Sequence, residues 1–69
     1  MVEVFRTNVD CRTNAHDMIL RLLSLHPNSG ITFDLEDCDR ILRIENATLD
    51  CGQIISLMEA HGFSCEILS

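Results

Sequence analysis

The sequence predicts a small α+β domain in which four strands and two helices follow one another in the order βαββαβ. Apolar residues recur at helical spacing in two separate segments. Apolar and polar residues alternate, as they do in half-buried strands, before, between and after those segments. The chain has 69 residues, of which 46% are hydrophobic, so we expect one domain with a thin core.

The first predicted strand covers residues 2–9, which are rich in Val, Phe and Thr. Two sets of side chains are plausible for its buried face: Val2 with Val4, or Phe5 with Thr7 and Val9. The polar segment 10–14 suits a loop and the start of a helix, with Asn14 as a natural cap. The apolar stripe of that first helix consists of Ala15, Met18, Ile19, Leu22 and Leu23. Pro27 and Gly30 end the helix.

A hairpin is predicted next, from an alternating strand over residues 31–36 and a second strand over residues 40–45. Four carboxylates fall within residues 34–39, at and beside its tip. Their spacing is not that of a calcium-binding loop, so we interpret them as a solvated tip.

Residues 48–53 open the second predicted helix, with Asp50 as N-cap and Gln53 completing a variant of the capping box. Gly62 ends this helix as a left-handed C-cap. A last strand follows, in which Phe63, Cys65 and Ile67 alternate with polar residues.

Each predicted helix has one apolar face, and the sheet needs cover on one side. With right-handed crossovers, the simplest solution is a ferredoxin-like sandwich, a four-stranded antiparallel sheet with two helices on one face. Three connections then share one end of the sheet, namely the loop with Cys11, the hairpin tip with Cys38 and the turn at His61. Cys51 and His26 belong at the opposite end.

Eleven acidic and five basic residues give a formal net charge of −6. This charge argues against nucleic acid and anionic membranes as partners, because both attract clustered Lys and Arg. The N-terminus lacks the basic region of a signal peptide, and no apolar run is long enough to span a bilayer. We therefore expect a cytoplasmic protein with reduced thiols; two disulfides are the alternative for four cysteines. No nucleophile motif or phosphate-binding Gly loop is visible, so we do not expect an enzyme.

Residues 5–11 read Phe-Arg-Thr-Asn-Val-Asp-Cys, and this stretch resembles the first strand and metal loop of heavy-metal-associated domains. Residues 33–35 with 39–45 are similar to the family's hairpin, and residues 58–63 to its closing helix and turn. The resemblance covers nearly the whole chain and implies a ferredoxin-like fold. It also implies a soluble metal-binding or metallochaperone-like role, usually for copper or another soft ion, with metal-transporting ATPases as the usual partners.

The chain departs from that family at the Cys-x-x-Cys motif itself. Positions 11–14 read Cys-Arg-Thr-Asn, so Asn14 replaces the second cysteine, and Val9 stands where a Met is common. Two thiolates at this spacing bind a soft monovalent ion almost linearly, whereas Asn offers a hard, neutral oxygen. The resemblance therefore implies a degenerate soft-metal site centred on Cys11, with weak binding of Cu(I).

A second ligand could come from Cys38, His61 or Cys65, because the predicted topology brings all three to the Cys11 end. Each also has a simpler interpretation: Cys65 as a core residue, His61 as a surface residue and Cys38 as a solvent-facing thiol. Cys11 of a second copy could share the ion instead. The alternative function is a protein–protein interaction module that keeps the fold without metal and pairs through its open sheet face or an edge strand.

Overall fold

The computed structural model describes residues 2–45 and 50–68, which form one antiparallel sheet and two helices. The elements are β1 (Val2–Thr7), α1 (Arg12–Leu25), β2 (Gly30–Asp34), β3 (Ile41–Glu45), α2 (Cys51–Ala60) and β4 (Cys65–Ile67). The strands lie in the order β2-β3-β1-β4. The predicted α+β class and element order are confirmed. Thr48 and Leu49, predicted to open the second helix, lie outside the described residues.

The buried face of β1 is the one that carries Phe5 and Thr7. Phe5 lies opposite Leu42 of β3 and Ile67 of β4, so it occupies the middle of the sheet and is fully buried. Val2, on the other face, is 46% exposed. Pairing with strands that are distant in the sequence therefore decides between the two sets of side chains that the sequence left open.

The core lies between this face of the sheet and the two helices. Its buried residues form one cluster: Phe5, Val9, Ala15, Met18, Leu22, Leu42, Ile44, Ile54, Met58 and Cys65. The opposite face carries ion pairs, such as Arg43 with Glu45. Because both helices contribute to a single cluster, they cover the same face of the sheet.

The prediction that Asn14 caps the first helix is wrong. The N-cap is Cys11, whose backbone is extended, and Asn14 is the third residue of α1. The Ala15 N–H donates to the Cys11 carbonyl oxygen (N···O 3.0 Å), which closes the first helical turn over polar residues. Apolar spacing alone detects that turn poorly, because Arg12, Thr13 and Asn14 are polar and add nothing to the apolar stripe.

The strands are shorter than predicted where side chains bind the backbone. β1 ends at Thr7 rather than Val9, because the Thr7 hydroxyl donates to the Arg40 carbonyl oxygen (2.6 Å) and accepts from the Val9 N–H (3.3 Å). β2 ends at Asp34, whose carboxylate accepts from the Glu36 N–H (3.2 Å). β4 begins only at Cys65, since the preceding residues form the turn after α2.

Both predicted caps of α2 are confirmed. The Asp50 side chain accepts from the Gln53 N–H, and Gly62 has a φ of +87°, the left-handed conformation that favours glycine. The Phe63 N–H donates to the Met58 carbonyl oxygen (3.0 Å) and the Gly62 N–H to that of Glu59 (3.0 Å). These two bonds form a Schellman motif, which ends the helix and directs the chain into β4.

We predict that Asp50→Ala lowers the free energy of unfolding by about 1 kcal/mol, because a first-turn N–H of α2 loses its acceptor. Chemical denaturation followed by far-UV circular dichroism measures the change. Asp50→Ser is the matched control, since serine keeps an acceptor at this position and should cost much less. Equal losses in the two variants would contradict a capping role.

Candidate metal site

Three connections meet at the end of β1, as the sequence predicted. The Thr7 N–H donates to the Asp39 carbonyl oxygen (3.1 Å), which holds the hairpin tip at this end. The Asn8 side chain accepts from the Ser64 N–H (2.8 Å), which holds the turn after α2. Cys11 follows as the N-cap of α1. We call residues 8–11, 35–40 and 61–64 together the loop end.

Cys11 is a free, exposed thiol at the start of a helix of 14 residues. Its side chain makes no capping hydrogen bond, so its sulfur is not committed to the first turn of α1. A helix N-terminus favours negatively charged groups through its free N–H donors. This position therefore suits a thiolate ligand, although Asn14 offers no second thiolate one turn later.

Cys65 packs in the core rather than in a site. It is 7% exposed, and burial raises its pKa to about 12, with further contributions from the negative charges of Glu59, Cys51 and Glu66. A thiol with this pKa stays protonated at neutral pH and is a poor soft-metal ligand. Of the two interpretations of Cys65, the structure favours the core residue.

Cys38 lies in the one group of three or more potential metal-ligating side chains found among residues 2–45 and 50–68. The group is Asp37, Cys38 and Asp39, and one ligand atom from each lies within 4.8 Å of the others. Asp37 and Cys38 are exposed, and Asp39 is half-buried. Cys11, His61 and Cys65 do not belong to it. The sequence analysis interpreted these carboxylates as a solvated tip. The Asp-Cys-Asp run at positions 37–39 is the sequence feature that could have indicated the group.

Arg6, in β1, contacts the loop end through a charge that sequence reasoning missed. Its Nε lies 3.2 Å from Asp39 Oδ1, and its guanidinium also contacts Glu66 Oε1 at 2.9 Å. The Asp37 carboxylate accepts from the Asp39 N–H (2.9 Å), which closes the tip of the hairpin. Asp39 is therefore already paired with Arg6. The exposed side chains of the group that could bind a metal are those of Asp37 and Cys38.

The remaining candidates lie where the topology predicted. His61 is an exposed residue at the C-cap of α2, within the loop end. Cys51 is half-buried, and its pKa is raised by burial and then by Glu3 and Asp50. Glu3 lies at the start of β1, so Cys51 belongs to the end of the sheet opposite Cys11.

The comparisons with known proteins found no matching family model, no matching curated protein and no matching solved structure. Within the described parts of the chain, neither helix has the length and hydropathy needed to cross a bilayer.

Proposed function

We propose that this chain is a small metal-binding domain of the heavy-metal-associated type, with a degenerate soft-metal site centred on Cys11. The observation that carries the proposal is the position of Cys11. It is an exposed, free thiol at the N-terminus of α1. The same loop end carries a second exposed thiol, Cys38.

The strand order supports a ferredoxin-like arrangement for this domain. The first and third strands are central, the second and fourth form the edges, and all three pairings are antiparallel. Two βαβ halves that interleave in one sheet, with both helices on one face, produce this order.

A single thiolate binds Cu(I) weakly, because the ion prefers two soft ligands. Cys38 of the same chain and Cys11 of a second copy are the two thiol sources we consider. The imidazole of His61 is a less soft ligand than a thiolate, and the burial of Cys65 argues against that thiol. Such a role implies a metal-transporting ATPase or a second copy as partner. It also implies a reducing compartment such as the cytoplasm, in which all four thiols remain free.

Anaerobic Cu(I) titration against a competing chelator tests the proposal. We expect Cys11→Ser to lower the apparent affinity at least about tenfold, because serine is a hard donor. Cys51→Ser is the matched control and should bind like the wild type, since Cys51 belongs to the opposite end of the sheet. Cys38→Ser and the stoichiometry separate the two sources of the second ligand. Wild-type affinity in Cys11→Ser would overturn the proposal.

The second candidate is a protein–protein interaction module that retains the fold without metal. Exposed apolar side chains favour it: Val2, Leu20, Leu25 and Ile67. The sheet also ends in two edge strands, β2 and β4, which can pair with another chain. A wild-type chain that fails to compete with the chelator for Cu(I) would favour this candidate.

A further inference from the structure

A groove of about 480 Å³ runs between α1 and the edge strand β2. One wall is formed by Arg12, Ala15, His16 and Ile19 of α1, and the other by residues 33–36. Among the described residues β2 pairs only with β3, so one row of its backbone N–H and C=O groups faces away from the sheet. The groove therefore lies beside the unpaired edge of β2, and the half-buried side chains of Phe33 and Leu35 line it.

We propose that two copies of this chain associate through β2, with the two β2 strands antiparallel about a two-fold axis at Thr32. This is the register that pairs all five residues of the strand. The inference does not depend on metal binding, because the contact consists of the β2 backbone and the flank of α1 and involves no thiol.

The register opposes side chains that fit one another. Ile31 lies opposite Phe33 of the second copy, and Gly30 lies opposite Asp34 of the second copy. Ile31 and Phe33 both lie on the core face of the sheet, since their partners in β3 are Ile44 and Leu42. Aromatic residues opposite β-branched residues stabilise strand pairs.

Charge favours β2 over β4 as the contact. Continuing the β2 register past the strand ends sets Glu36 opposite the neutral Asn28, so no two carboxylates are opposed despite the net charge of −6. The register that pairs all three residues of β4 instead sets Glu66 directly opposite its own copy. Like charges in that position destabilise strand pairing.

The flank of α1 supplies a second contact. Leu20 is 55% exposed and follows the groove residue His16 by four residues, so the two side chains are neighbours on the surface of α1. The proposed axis sets the α1 helices of the two copies side by side and antiparallel. Each helix would then cover Leu20 of the other, which the core of a single chain leaves in water.

The expected dimer is weak. A standard interface buries about 800 Å² per partner, roughly a fifth of the 4217 Å² surface of this chain. One strand of five residues and one helix flank bury less than that. The two loop ends also point in opposite directions across the axis, so the two Cys11 thiols stay apart and association requires no metal.

Sedimentation equilibrium of the full chain, with chelator and reductant present, tests the inference from micromolar to millimolar concentration. We expect the average mass to rise from 7.8 kDa towards twice that value. Thr32→Glu should raise the dissociation constant about fivefold or more, because it opposes two carboxylates on the axis. In a single chain the new carboxylate lies opposite Arg43, so the fold is retained.

Leu20→Lys is a second variant, exposed in the single chain, and should also raise the dissociation constant about fivefold or more. Ser56→Glu, on the exposed side of α2, is the charge-matched control and should leave it unchanged. A wild-type chain that stays monomeric at millimolar concentration would overturn the inference. So would association that is equally strong in all three variants. Loss of Cu(I) binding in Cys11→Ser leaves these expectations as they are.

Discussion

Replacing Leu22 with alanine is expected to lower the free energy of unfolding by about 2–5 kcal/mol. Leu22 is fully buried in the last turn of α1, where its side chain belongs to the single core cluster. A chain of 69 residues has a total stability of about 3–10 kcal/mol. We therefore expect a large fraction of Leu22→Ala molecules to be unfolded at physiological temperature.

Leu20→Ala is the matched control for this prediction, two residues away in the same helix. The chemical change is the same, but Leu20 is 55% exposed, so we expect a loss of less than about 0.5 kcal/mol. The chain contains no Trp or Tyr, so urea denaturation is best followed by far-UV circular dichroism. Low micromolar protein keeps association through Leu20 small. Equal losses at the two positions would contradict the packing of α1 described above.

Stability is expected to fall as the pH rises from about 9 towards about 12, because of Cys65. Burial raises its folded-state pKa to about 12, whereas the unfolded thiol titrates near 9.0. Between these values the unfolded state has released a proton that the folded state still holds, so unfolding becomes more favourable with each pH unit. Below this window the contribution of Cys65 to stability is fully present.

The composition makes the effect of Cys65 on the pH dependence easy to isolate. All five basic residues are Arg and the chain has no Tyr, so cysteines are the side chains that titrate between the two values. Cys65→Ala should remove most of the alkaline loss of stability. Cys51→Ala should remove a smaller part, since burial also raises the pKa of Cys51. An unchanged pH dependence in Cys65→Ala would show that another group is responsible.

The same burial predicts selective alkylation of the native chain. At a pH below 9, a pKa of about 12 instead of 9.0 lowers the thiolate fraction of Cys65 about a thousandfold. Cys11 and Cys38, both exposed, should react with iodoacetamide first. Mass spectrometry of the labelled peptides gives the order of reaction.

Much of the fold follows from local patterns. The apolar stripes of both helices, the Asp50 cap and the Gly62 turn are determined by neighbouring residues, and the sequence indicated each of them. The buried face of β1 could not be predicted in this way. It depends on Leu42 and Ile67, which are distant in the sequence.

At the loop end, too, some features follow from the order of the elements and others depend on the folded backbone. The order of the elements predicts that Cys11 and Cys38 lie at one end of the sheet. The convergence of Asp37, Cys38 and Asp39 depends on the backbone path of a short turn, which spacing alone does not give. The position of Asn14 inside α1 was missed because a polar first turn has no apolar periodicity.

The contacts of Arg6 connect structure on both sides of β1. The Arg6 guanidinium contacts Asp39, at the hairpin tip beside β3, and also Glu66, in β4 on the other side of β1. Nε contacts Asp39 and Nη1 contacts Glu66, so a single side chain pairs with both carboxylates at once. One arginine therefore joins the hairpin tip to the last strand, through surface ion pairs that added salt would weaken.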